Sequence, residues 1–150
     1  MNETDLLDVN VLISLAWPNH VHHAAAQRWF RGREDAPWAT TPSSECGFVR
    51  VSSNRAAVGV SVRPEEAILL LAQLRLVKGH TFLADDVPVV IEGHAGDDLV
   101  ERGSVISYRQ VTDAHLLAVA RRHGARLATL DRGVLALAGQ RPKDVLVVPI

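Results

Sequence analysis

A chain of 150 residues with 47% hydrophobic side chains is long enough to bury one core without a disulfide staple. Sixteen Lys and Arg against seventeen Asp and Glu leave a formal charge of -1, so the chain as a whole is no polycation, although residues 101–150 hold eight basic against four acidic side chains. The lone Cys46 excludes an internal disulfide, and no apolar run nears the ~18 residues of a membrane span. The start MNETDLL has acids where a signal peptide needs a basic segment, so the expectation is one soluble cytoplasmic domain over 1–150, with no membrane partner.

Residues 4–8 predict a short buried strand, and the run LLDVNVL puts an acid, Asp8, at its carboxyl end. A carboxylate buried alone either raises its pKa or finds a partner, so Asp8 asks for one. Residues 10–16 predict a helix ended by Pro18, and 20–31 a second with Ala24, Ala25, Trp29 and Phe30 inward. A second strand is expected over 38–41. Pro42, Ser43 and Ser44 then open a helix, since serine oxygens accept the free amide hydrogens of a first turn. On that helix Glu45, Phe48 and Val49 fall at offsets 0, 3 and 4, so one face shows an acid beside two core residues.

Residues 52–61 read as a loop, 64–76 as a helix with proline in its first turn, and 81–84 as a strand closed by Asp85 and Asp86. Residues 87–105 read either as a helix broken between Gly93 and Gly96 or as loop. Thr112 is the expected N-cap of a helix over 113–123, closed by Gly124, with Asp113, Leu116, Leu117 and Ala120 on one inward stripe. A buried strand over 126–130 runs into Asp131, a short helix over 134–138 follows, and a strand over 145–148 closes the chain.

Strands alternating with helices imply a central, mainly parallel sheet covered on both faces. Such sheets bind ligands beyond the carboxyl ends of their strands. Asp8 and Asp131 each follow an apolar strand at that edge, and Glu45 and Asp113 each lie in the first turn of a helix that starts there. Singly, each has an ordinary reading as a helix-dipole, cap or turn residue. Together they repel, by roughly 4 kcal/mol for two charges about 4 Å apart at an effective dielectric near 20. Several such pairs rival a domain's whole stability of about 5–15 kcal/mol, so the cluster must take up protons or cations. Oxygen ligands favour a hard ion such as Mg2+ or Mn2+, which suits phosphoryl chemistry.

The blocks LLDVNVLI, TPSSECGFVRV, QVTDAHLLAVARRHG and LATLD, in this order and at these separations, resemble the PIN-domain ribonucleases, and most closely the VapC-like toxins of toxin–antitoxin operons. The resemblance covers essentially the full chain and rests on the four blocks together. It implies a three-layer α/β/α sandwich, Mg2+- or Mn2+-dependent cleavage of RNA, a homodimer, and a small antitoxin that silences the enzyme. The acidic quartet falls on Asp8, Glu45, Asp113 and Asp131. Polar support falls on Asn10, Thr112 and Thr129. Gly133 stands where many members carry a further aspartate, so the resemblance carries at least one metal ion and does not secure a second. Asp8, Asp113 and Asp131 would hold the metal, and Glu45 would ligate it or orient the attacking water.

Other residues carry weaker claims. His20, His22 and His23 lack the i, i+4 spacing of a helical zinc pair and read as polar surface. Cys46, with no evident base, reads as a small buried side chain. Arg121 and Arg122 read as a solvated helix end or, with Arg126, as the flank of a substrate groove. Arg50 and Arg132 are the better candidates for holding RNA phosphate. Trp17, Trp29 and Trp38 read as core or dimer packing, with base stacking the alternative.

Two rivals remain. A magnesium-dependent phosphatase-like enzyme also places an aspartate after its first strand, but needs a second acid where this chain has Asn10. A catalytically weak PIN-like binding or regulatory module is suggested by Gly133 and opposed by the four retained acids. A nucleotide-binding Rossmann domain is disfavoured because no glycine-rich phosphate loop follows the first strand.

Overall fold

The structure, a computed structural model, describes residues 3–89 and 107–150. Five short strands, β1 (Asp5–Leu7), β2 (Trp38–Thr40), β3 (His80–Phe82), β4 (Arg126–Thr129) and β5 (Val145–Val147), form one sheet in the order β3-β2-β1-β4-β5. Every pairing is parallel, and Asp5 stands opposite both Trp38 and Arg126. The helices between them are α1 (Val9–Ala16), α2 (His23–Gly32), α3 (Pro42–Ser52), α4 (Arg55–Val58), α5 (Pro64–Arg75) and α6 (Val111–Arg122). Turns of 3-10 helix occupy Tyr108–Gln110, Arg132–Ala138 and Pro142–Asp144.

Successive strand residues point to opposite faces, and the chain uses this to build two cores. Leu6, Ala39, Leu127 and Val145 pack with Leu116, Leu117 and Ala120 of α6 on one face. Leu7, Trp38 and Ala128 pack with Val11 and Leu12 of α1, Phe48 of α3 and Leu71 of α5 on the other. The result is the expected α/β/α sandwich, with apolar clusters on both sides of the sheet. No helix among the described residues is long and apolar enough to cross a membrane.

Several local expectations need correction. The loop expected over 52–61 contains the one-turn α4, because Asn54 Oδ1 accepts the Ala56 amide hydrogen and starts it. In α2 Trp29 and Phe30 pack against the core as expected, but the fully buried residue beside them is Ala26, while Ala24 is exposed. The cap of α3 is Thr41, and Ser44 Oγ accepts the Thr41 amide hydrogen at 3.0 Å. Thr112 is not the cap of α6: a 3-10 turn precedes the helix, Gln110 is its N-cap, and Thr112 lies exposed inside the first turn. Gly124, at φ 63°, does turn the chain out of α6, a conformation that costs glycine nothing. Cys46 is exposed, not buried. The either-or reading of 87–105 lies, from residue 90 onward, outside the described residues.

Candidate active site

The carboxyl ends of β1 and β4 lie side by side, and each hands the chain to an aspartate. Asp8 caps α1: Oδ1 accepts the Val9 amide hydrogen at 2.6 Å. Its other oxygen, Oδ2, accepts the hydroxyl hydrogen of Thr129 at 2.9 Å. Thr129, fully buried at the end of β4, also accepts the Asp131 amide hydrogen at 3.1 Å and stands 3.4 Å from Asn10 Nδ2. Asn10 returns through Oδ1, which accepts the Leu130 amide hydrogen at 3.2 Å. One hydroxyl thus ties Asp8 to the Asp131 backbone across 123 residues of chain, and both polar ends of the Asn10 amide are spent on the same junction.

Asp131 is exposed and caps the next turn, with Oδ1 accepting the Gly133 amide hydrogen at 2.7 Å. A side chain at 133 would put its Cβ 3.0 Å from that oxygen, so glycine leaves room for the close approach. Asp113, half-buried in the first turn of α6, completes the group.

These three acids act on one another. Burial raises the Asp113 carboxyl to about 6, with the charges of Asp8 and Asp131 adding to it. Burial also raises Asp8, against the opposing hydrogen bonds from Thr129 and Val9, and Asp131 adds a further push upward. Among the described residues no Lys, Arg or His forms an ion pair with any of the three. No group of three or more His, Cys, Asp or Glu among the described residues is gathered closely enough to chelate an ion. The donor set is nonetheless all oxygen, negatively charged and uncompensated, which is the chemistry that a hard divalent cation satisfies.

Glu45 is placed differently. Its Oε1 accepts the Thr40 hydroxyl hydrogen at 2.7 Å and lies 3.2 Å from Arg75 Nη1. Thr40 Oγ1 is in turn 2.8 Å from His80 Nε2. Sequence reasoning did not anticipate Thr40, Arg75 or His80 here. It also missed Asp85, which accepts hydrogen bonds from Ser43 of α3 and, at 2.6 Å, from His115 of α6. Burial pushes Asp85 up, but those two hydrogen bonds and the His115 charge outweigh it and hold the carboxyl below its usual range.

The remaining expectations divide. Arg50 and Arg132 are exposed and engaged in no ion pair or hydrogen bond among the described residues. Thr112 makes no side-chain hydrogen bond among those residues. Arg121 is no solvated helix end: its side chain is 4% exposed, with Nε 2.7 Å from Asp144 Oδ2. Arg122 and Arg126 pair with Asp86 and with Asp5. Trp38 is core, Trp17 donates to Ser52 Oγ at 3.0 Å, and Trp29 lies beside the Arg33 guanidinium. His23 Nδ1 bonds the Ser14 carbonyl at 2.8 Å, and His20 Nδ1 accepts the His22 amide hydrogen at 3.1 Å.

Residues 6–140 match the sequence pattern of the PIN domain. The chain is similar to Ribonuclease VapC39 of Mycobacterium tuberculosis (strain ATCC 25618 / H37Rv), 52% identical over 143 residues that cover 95% of this chain and 99% of that protein. It is also similar to Ribonuclease VapC38 of the same strain, 51% identical over 138 residues and covering 92% of each chain. Ribonuclease VapC44, again of that strain, is 37% identical over 134 residues, or 89% of each.

Proposed function

This chain belongs to the PIN-domain family and, within it, to the VapC group, and we propose that it is a metal-dependent endoribonuclease toxin acting through Asp8, Asp113, Asp131 and Glu45. The observation that carries the reading is Asp8: 4% exposed, held only by neutral donors, and set beside two further aspartates at the carboxyl edge of a parallel sheet. The likeness to the VapC ribonucleases over nearly the whole chain supports RNA as substrate. It also supports a cognate antitoxin that binds and silences the enzyme, and assembly as a homodimer of single PIN-like domains spanning 1–150.

Asp8, Asp113 and Asp131 would hold Mg2+ or Mn2+. A cation bound there supplies Lewis acidity and a water of lowered pKa. The chain does the positioning. Thr129 and the Val9 amide fix the rotamer of Asp8, so its oxygens need no reorganisation. Asn10 holds the turn that carries Asp131. In the metal-free protein burial and the charges of Asp8 and Asp131 raise Asp113 to about 6, so a proton competes with the cation for this carboxyl and cation binding weakens as pH falls. Glu45 would ligate the metal or orient the attacking water, and the side chains of Arg50 and Arg132, both exposed and unengaged among the described residues, are available to RNA phosphate. Hydrolysis needs no nucleophile from the protein. Asn10 is committed at both ends of its amide and cannot exchange a proton, which removes the acid/base residue that a phosphatase would need.

The test is cleavage of single-stranded and structured RNA with Mg2+ or Mn2+, with and without EDTA. Cleavage that the chelator abolishes is expected; cleavage that persists in EDTA would overturn the assignment.

A further inference from the structure

Of the four acids, Glu45 alone has a cationic partner among the described residues, and that partner comes from an element outside the catalytic blocks of the sequence. Arg75 is the last residue of α5, and its guanidinium lies 5.3 Å from the Phe82 ring centroid while Nη1 reaches Glu45 Oε1. On the other side Thr40, fully buried at the end of β2, donates its hydroxyl hydrogen to the same oxygen. A hydroxyl has one hydrogen, so with Glu45 ionised the 2.8 Å contact to His80 requires the His80 Nε2–H to donate to Thr40 Oγ1. Both contacts to Glu45 fall on Oε1, and among the described residues no hydrogen bond reaches Oε2.

We propose that Arg75 and Thr40 are positioning residues of the hydrolysis, which seize one oxygen of Glu45 so that the other is presented to the reacting water in a single orientation. His80 stands behind them and fixes the Thr40 hydroxyl. The pair is poorly suited to a stabilising role, since Arg75 is 40% exposed and an exposed ion pair adds little to stability. Its geometric value is larger, because displacing a reacting group by about 1 Å costs on the order of 100-fold in rate. Burial, together with the Arg75 charge, holds His80 below its usual range against the pull of Glu45, consistent with a neutral ring that orients Thr40 and leaves the charge to Arg75.

The inference rests on the reading of Glu45 as part of the reaction centre. Its test is steady-state RNA cleavage in Mn2+ by the wild type and by Arg75→Ala, Arg75→Lys, Thr40→Val, Thr40→Ser and Glu45→Ala. Arg75→Ala and Thr40→Val are expected to lose about 10–100-fold in kcat with KM within about twofold, and Arg75→Lys and Thr40→Ser to recover most of the loss. In metal-free protein a thermal double-mutant cycle should show a Tm loss of about 2 °C for Arg75→Ala that disappears in the Glu45→Ala background. Should Thr40→Val fail to fold, the exposed Arg75 still decides. Glu45→Ala inactive with Arg75→Ala at wild-type kcat overturns the inference and leaves the site intact, as does a rise confined to KM. Glu45→Ala as active as wild type overturns the underlying reading of Glu45.

Discussion

Asp5 and Asp8 are three residues apart, at the two ends of one strand, and are buried alike, at 2% and 4% exposure. Their surroundings differ completely. Asp5, at the amino edge of the sheet, receives Arg33 Nε at 3.0 Å on Oδ2 and Arg126 Nε at 2.8 Å on Oδ1. Asp144, also buried, is held by Arg121 and Arg141 at 2.7 and 2.9 Å. Asp8, at the carboxyl edge, has two neutral donors and two like-charged neighbours. Burial of an acid therefore does not mark a site in this molecule. What marks it is burial without a counter-charge, because that charge must be matched by something the chain itself does not supply.

The contrast can be broken at either end. Asp8→Asn should lower metal-dependent RNA cleavage by on the order of 10³-fold or more, while the Tm of the metal-free protein stays level or rises, since an uncompensated buried charge is removed. A cleavage rate near wild type in that variant would end the case for Asp8. At the other edge Asp5→Ala should cost about 3–5 kcal/mol in urea unfolding, because Arg33 and Arg126 lose their shared partner, while kcat of the folded enzyme holds. If Asp5→Ala left stability unchanged, the two edges would not differ in the way argued.

A smaller effect follows from Asp113. Its folded-state carboxyl is raised to about 6, whereas an unfolded aspartate ionises near 3.9. Between those values the folded state binds more protons, so stability falls as pH rises from about 4 to about 6 and the penalty is complete above 6. The Tm of metal-free wild type, measured against Asp113→Asn, should therefore drop across that window by ~1–3 °C, a modest amount because Asp113 is only half-buried. A wild-type minus variant difference that is flat from pH 4 to 7 would remove Asp113 from the uncompensated group.

Much of this candidate site was legible before the fold. Asp8 and Asp131 announce themselves as acids that end apolar runs, and Asp113 by its offset from Leu116, Leu117 and Ala120, all of which are buried. Thr129 was found from the resemblance, but its three simultaneous contacts were not. Arg75 and His80 were invisible, being 30 and 35 positions beyond Glu45, with His80 brought to it through the pairing of β2 with β3 and Arg75 through the packing of α5 against α3. Thr112 was misplaced because a 3-10 turn starts the helix region early, a choice made by backbone geometry that residue preference does not decide. Arg121 was misread because a helix-end arginine looks solvated until the turn at Pro142–Asp144 folds over it.

By itself the sequence determined the alternation of strands and helices, hence a parallel sheet, and which acids stand at its carboxyl edge, because hydrophobic period and chain order are local properties. Only the tertiary structure decided which acids are neutralised. Whether a carboxylate meets an arginine depends on which strands pair and in what register. Strand pairing sends Arg126 to Asp5, and helix packing sends Arg33 to Asp5 and Arg75 to Glu45, while no cation among the described residues pairs with Asp8.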